Sequence, residues 1–406
     1  MNNSKDLCTF SANGDNVENN SVSNVKEKKG QSNKHIKSGM DGYSSFQITK
    51  AIESTQWRKW HNANGGHGFT AEDANALEDY LRGYKVEKTG IDNSLHGPDR
   101  ISNGILIQSK YYNSAYKSVN SAFQSPDGTY LYPGQVLEVA KDQYDIAVQI
   151  MAEKIRQGKV PGVNNPAEAV SLIKKGYVTY EQAVKITKAG NWESLKFDIK
   201  NQVVTCTCVG GLSFVVSFAM ALSKGVTPKD AFLSATKTCA CTVASTMVTG
   251  VVTQQILRTS AGRSIMAATQ VMAKKGINSA MKTSLGKKVV EKTVSAIGKK
   301  SIQGVAARNV LVRTMSSNVA TAIVTGVVTS IPDTVNVVRG KITPKEYGKK
   351  LVTNGASIGG GCIGSWSGAA IGTMIFPGVG TAVGAFIGGV TGGIGTSSLM
   401  AKLFRK

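Results

Sequence analysis

Pro98-Asp99-Arg100-Ile101-Ser102, then Asn103-Gly104, then Ile105-Leu106-Ile107-Gln108-Ser109-Lys110-Tyr111-Tyr112 is the stretch on which the reading of the N-terminal half turns. Asn-Gly between two apolar-containing runs is the strongest short-range hairpin signal, because both central residues of a type I′ turn need positive φ. Antiparallel strands are therefore expected at about 98–102 and 105–112. Side chains alternate along a strand, so Gln108 and Lys110 share one face while Ile107 and Ser109 share the other. Asp99, at the end of the first strand, would then place a carboxylate beside an amide oxygen and an ammonium. That layout suits a metal-dependent phosphodiesterase. Hard oxygen ligands hold Mg²⁺, the ion polarises a phosphoryl oxygen and acidifies its bound water, and the ammonium stabilises developing charge.

Flanking signals place this hairpin in a small α/β domain. Thr70 is an N-cap candidate for a helix over 71–82, with Asp73 three residues on, and Gly83 stops it. A short strand is expected at 84–88 and another at 136–139. Lys141 to Gln157 reads as an amphipathic helix with Tyr144, Ala147, Val148, Met151 and Ile155 on one face. Pro161-Gly162 breaks the chain, and two short helices capped near Asn165 and Thr179 follow. The organisation expected is a disordered polar tail over 1–40, an α/β domain over 41–160 that opens with Tyr43, Phe46, Trp57 and Trp60, and a helical bridge over 161–200.

The segment from Phe69 to Tyr112 resembles the PD-(D/E)XK nuclease superfamily, in its Mrr-like variants with Gln before x-Lys. The resemblance implies a restriction-endonuclease-like domain at about 66–160. It implies Asp99 and Gln108 as ligands of Mg²⁺, with Mn²⁺ as a substitute, and Lys110 as the residue that orients the attacking hydroxide. An acidic residue of the preceding helix completes such sites; Glu72 is the choice here, with Asp73 and Glu78 behind it. His67 and Arg100 are the expected contacts to nucleic acid, DNA in preference to RNA. The whole chain also resembles uncharacterised bacterial inner-membrane or prophage-associated proteins. Gly66-His67-Gly68-Phe69, Ala71-Glu72, Lys159 to Val163 and Phe376 to Thr381 carry that likeness.

After residue 200 the chemistry changes. Residues 1–200 hold 25 Lys and Arg against 22 Asp and Glu, whereas 201–406 hold 23 against four. A basic, apolar, carboxylate-poor segment points to anionic lipid. Residues 203–222 and 238–257 are uncharged runs of bilayer length, and a third runs over about 317–338. Residues 351–401 carry no charge and are divided by Phe376-Pro377-Gly378, so a helical hairpin is expected there. Its glycines recur every four residues, at 364, 368 and 372 and again at 380, 384 and 388, which lets helix backbones approach closely or the protein self-associate. The basic stretch 258–316 should lie on the cytoplasmic side with the N-terminal domain.

Five of the six cysteines lie in the apolar half, where the pairs Cys206/Cys208 and Cys239/Cys241 read as small packing residues, and no disulfide framework is implied. The polar first forty residues lack the apolar run of a secretion signal. The fold class expected is α+β, an α/β domain followed by an all-α, glycine-rich membrane domain. Two functions fit this layout. One is a membrane-anchored, Mg²⁺-dependent nuclease acting on DNA at the cytoplasmic face of a bacterial inner membrane, in defence against phage or plasmid DNA. The other is a non-catalytic, pore-forming or toxin-like membrane protein whose N-terminal domain regulates it or binds nucleic acid.

Overall fold

Asn103 and Gly104 take φ of 47° and 83°, the left-handed pair that a type I′ turn demands, and the hairpin they close is the centre of a five-stranded sheet. The computed structural model describes residues 66–89, 96–296, 303–375 and 379–403. The expected tail, the aromatics Tyr43, Phe46, Trp57 and Trp60, and the turn Phe376-Pro377-Gly378 lie outside the described residues. Two compact units divide the chain, one of residues 54–201 and one built on 202–406.

In the first unit α1 (Gly66–Leu81) precedes β1 (Val86–Lys88), β2 (Arg100–Ser102) and β3 (Ile105–Ser109). Then come α2 (Ala115–Asn120), β4 (Val136–Val139), α3 (Tyr144–Arg156), α4 (Ala169–Leu172), β5 (Ile173–Lys175) and α5 (Tyr180–Ile186). The strands lie in the order β1-β2-β3-β4-β5. The first three form an antiparallel meander, and the last two join in parallel, with Gln108 opposite Leu137 and Glu138 opposite Lys174. Parallel neighbours need crossovers, which α2 and α3 with α4 supply.

Alternation gives the sheet two different faces. Leu137, Val139 and Ile173 pack with Ala147, Met151 and Ile155 of α3 and with Val119 of α2 in the main apolar core. Tyr144 and Val148 lean on that core, so the amphipathic face of the expected helix stands. The other face carries Arg100, Ser109, Glu138 and Lys174 beneath α1. Arg100 is 1% exposed and Glu138 and Asp79 are 0% exposed. The guanidinium grips Glu138 with two bonds, 2.7 Å to Oε2 and 2.6 Å to Oε1, and reaches Asp79 Oδ2 at 3.0 Å. Lys174 Nζ adds a contact to Glu138 at 3.3 Å. Asn75 of α1 donates to Glu138 Oε2 at 2.8 Å, and Tyr177 OH donates to Asp79 Oδ1 at 2.9 Å. Two cations thus answer two carboxylates, which buried charges require.

Two local expectations change. Thr70 does not cap α1: the helix is described from Gly66, and the Thr70 hydroxyl donates back to the Gly66 carbonyl at 2.9 Å inside it. A Thr hydroxyl can serve either end of that choice, and the turn N-terminal to it decided. The segment expected as two short helices over 165–190 holds strand β5 between them, with a capping box of Thr179 and Gln182 on α5. Ile173-Lys174-Lys175 carries no strand signal in so short a run; its pairing to β4 makes it one.

The second unit is helical: α6 (Trp192–Ser223, entering from the first unit), α7 (Pro228–Arg258), α8 (Ser260–Ala280), α9 (Ser284–Ala296), α10 (Gly304–Thr329), α11 (Ile331–Val338), α12 (Pro344–Ile375) and α13 (Val379–Leu403). Three helical stretches, Trp192–Ser223, Pro228–Arg258 and Gly304–Val338, are long and apolar enough to cross a membrane, and they contain the three expected runs. Helices α12 and α13 pair as the expected hairpin, glycine against glycine. A Cβ on Gly364 would strike the Gly388 carbonyl, and one on Gly368 would strike that of Gly384.

The ion network predicts how the α/β unit fails. Arg100→Met leaves Glu138 and Asp79 buried and short of a cation, and should cost about 3–5 kcal/mol in denaturant unfolding. Burial pushes the Glu138 carboxyl up, but the charge and hydrogen bonds of Arg100, with Lys174 and Ser109, outweigh it and hold the group below 4.5. A depressed carboxyl stabilises above its ordinary pKa, so this contribution should be lost as pH falls below about 4.5, and a pH series of melting curves would show it.

Candidate functional site

The expected site residues divide between the two sheet faces. Asp99 immediately precedes β2, Gln108 sits on β3 and Lys110 just beyond it, and these three share the face of α2 and α3. Asp99 Oδ2 accepts from Gln108 Nε2 at 2.7 Å and from the Ser109 backbone N–H at 2.8 Å, so the carboxylate and the amide do meet. Gln108 is 5% exposed, and its Oε1 is buried with no hydrogen-bond partner among the described residues. Lys110 holds its ammonium over the Tyr132 ring, 5.2 Å from the centroid, and the edge of His96 meets the same ring at 5.8 Å.

Glu72 is carried by the element on the other side of the sheet. It belongs to α1, whose Asn75 and Asp79 engage the opposite face. Asp73 is paired with Lys88 at 2.5 Å, and Glu78 with Lys200. Among the described residues no group of three or more His, Cys, Asp and Glu side chains is placed to hold a metal ion. The orphaned Gln108 Oε1, on the amide bonded to Asp99, is a neutral oxygen donor of the kind a hard cation takes.

Of the two expected nucleic-acid contacts, Arg100 lies in the interior. Arg100 is enclosed by Glu138, Asp79 and Ser109, which corrects its assignment: a guanidinium 1% exposed has no face for a phosphate. His67 Nε2 lies 3.0 Å from the Tyr111 carbonyl, to which it must donate, and its ring meets Tyr180 edge-on at 5.1 Å. Sequence reasoning missed Glu138, Gln135 and Tyr132. His96 takes a positive φ of 59°, an uncommon conformation for a residue with a side chain.

Comparison with known proteins places these two units differently. A family model described as the YeeR C-terminal domain matches residues 48–156. A second, described as a C13G5.2-like glycine zipper domain, matches residues 343–399. The chain is 40% identical over 111 residues to the inner membrane protein YeeR of Escherichia coli (strain K12). That alignment covers 26% of this chain and 22% of the relative. No solved structure matches. The family match at 48–156 falls on the region expected to resemble a nuclease. The glycine zipper and the three long apolar helices fit a membrane protein.

The recorded bonds of Asp99 predict a structural role as well as any chemical one. Asp99→Ala removes the acceptor for a backbone N–H and a buried amide, and should lower the stability of the full chain by about 1–3 kcal/mol, read by chemical denaturation. A merely surface carboxylate would leave the midpoint unmoved.

Proposed function

We propose that this is an inner-membrane protein of a bacterium that acts in and on the bilayer, with the α/β unit on the cytoplasmic side as its binding or regulatory module. The observation that carries this reading is the inverted polarity of α10. Ser317, Thr321 and Thr325, four residues apart, are 1%, 0% and 1% exposed, whereas Met315, Val319, Ile323 and Val327 are 43–59% exposed. Helix α7 repeats the pattern, with Thr246, Thr249, Thr253 and Gln254 buried and Val248 61% exposed. The Thr253 and Thr325 hydroxyls lie 3.5 Å apart between the two helices. Hydrocarbon takes exposed apolar side chains and disfavours exposed hydroxyls, so lipid suits this arrangement better than water does.

The glycine-faced hairpin supports the same reading. Each helical glycine costs about 1 kcal/mol relative to alanine in water, and the close backbone approach it permits is worth most where lipid removes the hydrophobic drive between helices. Anionic lipid is the expected partner of the basic helices α8 and α9, and the positive-inside rule puts them on the cytoplasmic side. The protein should resist alkaline extraction from membranes. On this reading the wild-type chain should depolarise cells, and Gly364→Leu should part α12 from α13 and abolish that effect; a wild-type chain that leaves cells polarised, or a variant as active as wild type, would refute the reading.

A second reading is favoured by one observation, the shared face of Asp99, Gln108 and Lys110 behind a helix and three strands. On it the α/β unit is a Mg²⁺-dependent phosphodiesterase acting on DNA, and Asp99 and Gln108 would hold the ion. Lys110→Ala should then abolish Mg²⁺-dependent cleavage of plasmid DNA by the full chain. Cleavage that survives this change removes the reading and leaves the membrane function standing.

A further inference from the structure

Gln108 and Gln135 are buried at 5% and 7% exposure, and each has its amide fixed at one end. Gln108 Nε2 donates to Asp99 Oδ2 at 2.7 Å, and Gln135 Nε2 donates to the His96 carbonyl at 2.7 Å. A carboxylate and a carbonyl only accept, so neither amide can be turned over without losing that bond. Both Oε1 atoms are therefore fixed as acceptors, and both are buried with no hydrogen-bond partner among the described residues. Native structures rarely leave such groups unmatched, and a pair of them calls for water or an ion.

The two oxygens belong to one corner of the sheet. Strands β3 and β4 run parallel with Gln108 opposite Leu137, so Gln135, two residues before Leu137, faces the same side as Gln108. Both NH₂ groups reach into the same four residues, His96 to Asp99. Tyr132 closes the corner, with its ring against His96 and Lys110. Register thus puts one carboxylate and two neutral amide oxygens on the same side of the neighbouring strands β2, β3 and β4. A hard divalent cation that keeps several waters matches this donor set.

We propose that Asp99, Gln108 Oε1 and Gln135 Oε1 are the protein ligands of a single divalent-cation site, with Gln135 taking the place the sequence suggested for Glu72. The site builds on the metal half of the second reading and needs no cleavage to exist. Glu72 is excluded because α1 covers the opposite face. Lys110 shares the face of Gln108, so its ammonium opposes the ion and weakens binding.

Mn²⁺ binding to the full chain in detergent micelles, followed by loss of the free-ion paramagnetic resonance signal, tests the site without any assay of cleavage. One Mn²⁺ per chain is expected. Gln135→Leu should weaken binding tenfold or more, Glu72→Gln should leave it unchanged, and Lys110→Met should tighten it roughly threefold. Should Gln135→Leu fold poorly, Gln135→Glu adds a carboxylate at the same point and should tighten binding about tenfold. No Mn²⁺ bound by the wild-type chain would mean that water alone serves the two amides, and the proposal fails. It fails equally if Glu72→Gln abolishes binding, or if neither Gln135 variant alters it. Mn²⁺ bound as expected without cleavage of DNA would keep the site and dismiss the nuclease.

Discussion

The clasp of Arg100 on Glu138, with Asp79 behind it, is the constraint on which the α/β unit depends. It joins β2 to β4 across β3 and ties both to α1, so one guanidinium sets the spacing of three strands and a helix. Its partners are arranged to leave few loose ends. Ser109 donates to Glu138 Oε2 at 3.0 Å, and Asn75 donates both to Glu138 and to the Tyr111 hydroxyl, each at 2.8 Å. Burial raises the Tyr111 phenol well above its ordinary pKa, with the Glu138 charge adding to it, so the ring stays neutral at this wall of the network. Buried ion clusters of this kind are weak sources of net stability, and their effect is selective: only one register of the sheet satisfies all of their members.

That register also decides what the opposite face can do. With Ser109 committed to the ionic face, Gln108 must point away from it, beside Asp99 and toward the side of Gln135. A slip of one residue would exchange the two sets. The ionic face and the amide corner are therefore two consequences of one pairing, and a change that loosens Arg100 would disturb both. This is why Arg100, expected at a nucleic-acid contact, serves the fold instead.

The helical unit obeys a different solvent. Hydroxyls and amides turn inward on α7 and α10 while Val248, Met315, Val319, Ile323 and Val327 turn outward, and the terminal hairpin brings backbones together through glycine. Both devices answer the same condition, the absence of water around the helices. The matched glycine zipper domain and the three helices of membrane-spanning length agree with it. The relative from Escherichia coli is named an inner membrane protein, and the family model matched at residues 48–156 is described as the YeeR C-terminal domain.

Local signals determined much of this protein by sequence alone: the Asn103-Gly104 turn, the apolar face of α3, the Thr179 cap, the uncharged helices and the glycine-divided hairpin. Each depends on neighbours within a few residues, on φ preferences, helical period or run length, and needs no knowledge of the rest of the chain. Only the tertiary structure decided the site. Glu138 lies 38 positions from Arg100 and Gln135 27 positions from Gln108, and no spacing rule connects them. The parallel joining of β3 to β4 brought both to the hairpin, one to each face, and the covering of one face by α1 removed Glu72 from the other. Which carboxylate meets which amide was settled by strand pairing across the sheet, because the face a side chain takes is fixed by register and not by its own identity.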